Sequence, residues 1–255
     1  MITAARIKQI RSLSQKKFRK ELGLFIVEGE KAVSELLLHE NWKIHHIYAL
    51  EDWLNENQVP GNVPSEKVSV KELKRISSLT TPNNVLAIVK IPEWKISEIN
   101  PAGDLTLMLD NIQDPGNLGT IIRTADWFGI ENIICSESTA EVFNPKVIQA
   151  SMGSFMRVKV VYTSLKTYLE SLSEQIPVMG AVLHGKNIYT TEIPDKGILI
   201  TGNESQGISD DLENMITHKI SIPLFHKKEK NQLPESLNAA IATGIIISHL
   251  RKNYS

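Results

Sequence analysis

The chain has 255 residues, 42% of them hydrophobic and 22% charged, with a formal net charge of -1. That is the composition of a soluble globular protein with room for one large domain or two ordinary ones, and no apolar run approaches the roughly 20 residues that cross a bilayer. A basic N-terminus without a long apolar core is not a secretory signal, and a single cysteine, Cys135, allows neither an intramolecular disulfide nor a multi-cysteine zinc site, so a cytoplasmic protein needing no metal is expected.

The charge is uneven. Residues 1–20 hold seven basic side chains and no acidic one. Lys16, Lys17, Arg19 and Lys20 surround Phe18, a cluster that reads either as a polyanion-docking surface, RNA above all, or as a solvated helix face. In chain order, residues 3–12 have the period of a short amphipathic helix with Ile2, Ile7 and Ile10 inside. Strands are expected at 24–27, 44–49, 68–70 and 85–91, and helices at 30–38 and 71–76. Residues 51–66, with Pro60-Gly61 and Pro64, read mostly as loop. This makes a small α/β domain over residues 1–95, followed by a proline-containing linker at 96–104.

Beyond the linker, over residues 105–255, strands and helices alternate, which predicts an α/β domain with a parallel sheet covered on both faces. Strands are expected near 105–109, 132–135, 158–161, 178–183, 198–201 and 219–222. Helices are expected near 118–128, 145–152, 165–175, 209–215 and 237–251. Cys135 falls in one of these strands, where inert packing is expected.

Three stretches concentrate chemistry. In the first, an apolar strand breaks at Asp110-Asn111 into a turn, Asp114-Pro115-Gly116-Asn117. A helix pattern follows with Leu118, Ile121, Ile122, Ala125 and Phe128 on one face. Asn117 is placed to cap that helix, and Arg123 sets a cation near its N-terminus, where an anion is favoured. In the second, a buried strand runs into Gly202-Asn203-Glu204-Ser205-Gln206-Gly207, two glycines around a carboxylate. No Lys-Ser/Thr follows Gly207 and no G-x-G-x-x-G occurs, so neither a P-loop nor a Rossmann dinucleotide site is indicated. The third runs from Ile222-Pro223-Leu224 through a charged loop to Ser236-Leu237-Asn238 and an apolar final helix, for which Ser236 is a candidate cap.

Taken together, N-x-x-D-P-G-N-x-G-x-x-x-R-T-A at 111–125, T-G-N-E-x-x-G at 201–207 and I-P…S-L-N at 222–238 resemble the SpoU (TrmH) branch of the SPOUT RNA methyltransferases. Residues 1–95 resemble the RNA-substrate-binding domain, similar to an α/β ribosomal-protein fold, that often precedes it. The resemblance implies a homodimer with a C-terminal trefoil knot that transfers a methyl group from S-adenosyl-L-methionine to a ribose 2'-hydroxyl of ribosomal or transfer RNA. It implies Arg123 in hydroxyl activation, with Asn117, Glu204, Ser236 and Asn238 at the other polar positions of the site. For the cofactor it implies backbone contacts from Gly202, Ile222 and Leu237, with Thr201, Asn203, Gly207, Leu224 and Asn238 nearby. Arginine is not deprotonated in proteins, so binding phosphate and stabilising a developing alkoxide suits Arg123 better than a base's role. The loop before Ser236 is longer than the family's and carries Lys227, Lys228 and Lys230, expected to touch RNA. The alternatives are a non-catalytic RNA-binding protein of the same fold and a base-methylating relative.

Overall fold

The structure, a computed structural model, describes residues 1–172, 175–225 and 236–252. Lys227, Lys228 and Lys230 lie outside the described residues. By packing, the chain forms two units: Met1–Glu93 with Glu141–Met156, and Trp94–Ala140 with Arg157–Ser255.

The first unit opens with α1 (Ala4–Ser12), capped by the Thr3 hydroxyl, which accepts from the Arg6 N–H. Next come α2 (Lys16–Leu22), β1 (Leu24–Glu28), α3 (Glu30–Leu38), β2 (Ile44–Ala49), α4 (Glu51–Glu56), β3 (Ser65–Lys67), α5 (Val70–Ile76) and β4 (Val85–Lys90). The sheet order is β1-β4-β2-β3; β4 is antiparallel to both neighbours and β3 is parallel to β2. Alternation along the strands sorts the side chains. Ile26, Tyr48, Leu86 and Ile88 join Ile2, Ile7 and Ile10 of the α1 region and Leu73 and Ile76 of α5 in one core.

Three expectations change here. Residues 16–22 form a helix of their own, ended by Gly23 in the left-handed region at φ 63°. The stretch 51–66 holds α4 and β3 rather than loop alone. The third strand ends at Lys67 because Ser69 and Glu72 form a capping box, which draws Val70 into the helix and leaves it exposed. Two hydrogen bonds within that box and one from the Ile2 N–H hold the Glu72 carboxyl down at about 2.

The second unit carries β5 (Leu105–Leu109), α6 (Pro115–Trp127) and β6 (Asn132–Cys135). After α7 (Pro145–Ser151), which packs in the first unit, come β7 (Lys159–Tyr162), α8 (Leu165–Glu170), β8 (Val178–Asn187), β9 (Gly197–Thr201), α9 (Asp210–Glu213), β10 (His218–Ser221) and α10 (Ala239–Leu250). The six strands are all parallel in the order β10-β8-β9-β5-β6-β7. β5 and β9 are buried along their whole length, as sheet centres covered on both faces are. Cys135 is fully buried and its thiol is pushed up by desolvation, which suits packing rather than chemistry. Strands are added to one side of β5 as β6 and β7 and to its other side as β8, β9 and β10, so the gap between β5 and β9 is the switch point where ligands of parallel sheets bind.

Residues 141–156 bring Phe143 and Phe155 into the first unit. Phe25 meets Phe143 at 4.5 Å and Phe155 at 6.0 Å, Trp42 meets Phe155 at 5.4 Å, and the Trp42 indole donates to the Met156 carbonyl at 3.1 Å. Arg19 is sealed in beside them at 2% exposure. Its guanidinium donates to the Leu13 carbonyl and to Glu141, each at 2.8 Å, in an ion pair. Removing one partner strands the other charge, so Arg19→Ala is expected to cost about 3–5 kcal/mol. Urea unfolding followed by tryptophan fluorescence measures it; a change under 1 kcal/mol would mean the pair carries no such weight.

Candidate active site

The loops after β5 and β9 flank the switch point and are tied together directly. The Asp110 N–H donates to the Thr201 carbonyl at 2.9 Å and the Asn203 amide to the Asn111 carbonyl at 3.0 Å. Asn111 sits at φ 58°, a left-handed turn that asparagine tolerates. The Asp110 carboxylate accepts from the Ser209 N–H at 2.9 Å. The β9 loop closes on itself through two backbone bonds between Asn203 and Gly207. Only glycine fits at 202, since a Cβ there would lie 2.1 Å from the Gly207 carbonyl oxygen, and Gly207 itself needs φ 71°.

Helix α6 begins at Pro115, three residues earlier than its apolar period indicates. Asp114, not Asn117, is its N-cap, accepting from the Asn117 N–H at 2.8 Å, with Pro115 in the first turn. The Asn117 side chain is thereby released. Its amide donates to Glu204 Oε1 at 2.5 Å, and its carbonyl oxygen accepts from the Asn238 amide at 2.9 Å. Glu204 Oε1 also accepts from the Ala239 N–H at 3.3 Å. Asn238, not Ser236, caps α10, accepting from the Ala240 and Ile241 N–H groups. The Ser236 hydroxyl donates to the Glu204 carbonyl at 3.3 Å. Asn117, Glu204, Ser236 and Asn238 thus meet in one network drawn from three loops. Behind it the Thr243 hydroxyl of α10 donates to that of the buried Thr201 at 3.1 Å.

Arg123 stands apart from this network. It lies on the exposed side of α6, and among the described residues no hydrogen bond or ion pair holds it. Leu224 and Leu237, 62% and 44% exposed, leave apolar surface uncovered in the third stretch, and Ile222 and Asn203 are half-buried. Glycine backbone at 202 and 207 and the uncovered Leu224 and Leu237 fit an adenosyl cofactor held by main chain and apolar side chains.

Residues 104–248 match the SpoU rRNA Methylase family and residues 4–87 the MRM3-like substrate binding domain. The chain belongs to the SpoU rRNA methylase family. It is 30% identical over 249 residues, 96% of each chain, to the 23S rRNA (guanosine(2553)-2'-O)-methyltransferase RlmP of Bacillus subtilis. Among solved structures it is similar to a putative RNA methyltransferase of the TrmH family from Porphyromonas gingivalis, at 37% identity and a TM-score of 0.88 over 99% of both chains. It is also similar to the AdoMet-bound rRNA methyltransferase from Sinorhizobium meliloti, at 29% identity and a TM-score of 0.87, covering 100% of this chain and 97% of that one.

Of the basic residues expected to meet RNA, Lys16, Lys17 and Lys20 are exposed. Arg19 is not available: its guanidinium is buried and committed to Glu141 and the Leu13 carbonyl. Sequence reasoning gave no bonding role to Asp110, to Asn111, the residue that opens the first motif, or to Thr243, yet these lock the SpoU loops together. The one available signal for the first two was a pair of polar residues directly after an apolar strand. Glu204→Ala removes the acceptor shared by Asn117 and Ala239, and about 1–3 kcal/mol of stability should go with it. Thermal and urea unfolding measure the loss, and an unchanged midpoint would mean that the carboxylate does not join the loops.

Proposed function

We infer that the protein is an S-adenosylmethionine-dependent RNA methyltransferase that methylates a ribose 2'-hydroxyl of ribosomal RNA. The observation that carries this reading is the convergence of three family motifs, at 111–125, 201–207 and 222–238, on one hydrogen-bonded site at the switch point of the sheet. The substrate-binding family match over residues 4–87 and the ribosomal RNA relatives support the choice of RNA. With this reading go a cytoplasmic location and the family's C-terminal trefoil knot. The knot would account for residues 201–207 lying against 236–238.

The cofactor, when bound, supplies an electrophilic methyl group on a sulfonium. Methyl transfer from it to the hydroxyl oxygen would release a neutral thioether, and the hydroxyl proton would pass to solvent or to a neighbouring RNA phosphate. Gly202, Ile222 and Leu237 would hold the cofactor through backbone groups, with Thr201, Asn203, Gly207 and Leu224 around them. Asn117, Glu204, Ser236 and Asn238 orient donor and ribose, so the reacting atoms meet in line. Arg123 binds phosphate and stabilises charge developing on the ribose oxygen.

The face shared by α6 and α10 supports a homodimer. Thr120, Thr124, Ile241, Gly244 and Ile245 line an open groove of about 640 Å³ there, and Ile241 is 56% exposed. A charge on that face should separate the copies: Ile241→Glu is expected to sediment as a monomer where the parent chain is a dimer. A parent chain that is already monomeric would refute the dimer.

For the chemistry, Arg123→Ala should lower kcat by roughly 100- to 1,000-fold with cofactor affinity unchanged by calorimetry. Digestion of the product should place the methyl group on the sugar. A methyl group on a base would replace this reading with the base-methylating one. A chain that binds RNA but gives no heat with the cofactor would replace it with the non-catalytic one.

A further inference from the structure

The lysines of α2 leave one charged surface of the first unit without a role. Strand β2 carries consecutive histidines, and the ladder with β4 slips there: Ile44 faces Val89 but His46 faces Ile88, so His45 is the extra residue of a β-bulge. A bulge re-aims side chains that regular alternation would send to opposite faces. Arg6 of α1 acts electrostatically on both imidazoles, and Lys90, at the end of β4, acts on His45. The Arg6 head is fixed rather than loose: Nε donates to the Tyr48 hydroxyl at 2.8 Å and Nη1 to Gln9 Oε1 at 2.9 Å. The His46 ring lies 4.4 Å from that of Tyr48.

The surroundings leave this surface positive. Among the described residues a carboxylate reaches His46, that of Glu66 of β3, 4.0 Å from His46 Nε2 and 3.7 Å from the N-terminal ammonium group. Neither Arg6 nor Lys90 has an ion-pair partner among the described residues. The Arg6 guanidinium is tied to Tyr48 of β2, His45 stands on the bulge of that same strand, and Lys90 follows Val89, which pairs with Ile44; among the described residues no carboxylate forms an ion pair with any of the three.

We propose that Arg6, His45 and Lys90 form a phosphate-binding site for the backbone of the substrate RNA, separate from the α2 lysines. This rests on the reading of the protein as an enzyme acting on RNA. In the free protein burial first, then Arg6 and Lys90, hold the His45 pKa below its ordinary 6.5. An RNA phosphate beside the ring favours the imidazolium, so binding takes up a proton. Affinity therefore rises as pH falls through the pKa of the bound form.

The test uses the full chain and a fluorescently labelled, unmodified 23S ribosomal RNA transcript, with dissociation constants read by anisotropy across a potassium chloride series and between about pH 7.5 and 5.5. Arg6→Ala and Lys90→Ala should each weaken binding and lower the salt slope by about 1. His45→Gln should abolish the several-fold tightening that the parent chain shows on acidification. Because Arg6→Ala also breaks the bond to Tyr48, Lys90→Ala and His45→Gln, which break no described side-chain bond, carry the decision. Salt slope and pH response unchanged in those two, with binding weakened by Lys16→Ala, Lys17→Ala and Lys20→Ala together, would overturn the site. A parent chain that binds S-adenosylmethionine but not the transcript would instead remove the RNA reading on which the site depends.

Discussion

A single carboxylate oxygen ties together three separate segments of the second unit. Glu204 Oε1 accepts from Asn117, 87 residues before it, and from the Ala239 N–H, 35 residues after it. Neither bond forms unless β5, β9 and α10 are already beside one another. The site is therefore a consequence of tertiary structure rather than of any one loop. The glycine at 202 is part of the same constraint. Its missing Cβ lets the loop fold back on Gly207, and that turn delivers Glu204 to the other two segments. The carboxylate also satisfies a peptide N–H at the start of α10 that the helix itself leaves open. Structural and functional readings of Glu204 are thus the same geometry seen twice: it caps a helix, and in doing so joins the loops.

The first unit depends on a different kind of closure. A sheet of four short strands buries limited apolar surface by itself. Here Phe143 and Phe155 arrive from residues 141–156 to complete an aromatic cluster around Phe25 and Trp42, and Glu141 neutralises the buried Arg19. An arginine at that depth is tolerated because its fork is satisfied by a carboxylate and a backbone carbonyl together. The same commitment withdraws it from RNA, so the basic character of α2 toward solvent rests on Lys16, Lys17 and Lys20.

What could be read from the residues alone divides along physical lines. Buried strands such as β5 and β9 declare themselves by continuous apolar runs, and the alternation of strand and helix implies the parallel sheet. Caps are harder. Asp114 and Asn117 are both good N-cap residues, as are Ser236 and Asn238. Composition cannot choose between them, and both choices went to the residue at the wrong end of the turn. Short helices α2 and α4 were missed because one turn or two carries too little periodicity to stand out. Arg19 was misjudged because its partner lies 122 residues away, and a charge run carries no information about which member turns inward. The network of Asn117, Glu204 and Asn238 was legible only through the family's motif; spacing by itself gives no reason for the three to meet.

The contrast between the locked side chains and Arg123 suggests how the site divides its work. Asn117, Glu204 and Asn238 are engaged with one another before any substrate arrives, so their hydrogen-bonding capacity is largely spent on geometry. Arg123 is exposed, with none of its donors committed among the described residues. Catalysis requires interactions that are stronger in the transition state than in the ground state. A free guanidinium can gain such an interaction as charge grows on the ribose oxygen, whereas an amide already bonded to a carboxylate gains little. Since arginine keeps its proton, its contribution is electrostatic. On the proposed mechanism the departing proton goes to a group outside the network, to solvent or to a phosphate of the RNA itself. On this reading the substrate supplies part of the catalytic apparatus, and a nucleotide analogue lacking the adjacent phosphate would bind the cofactor-loaded protein but transfer the methyl group slowly.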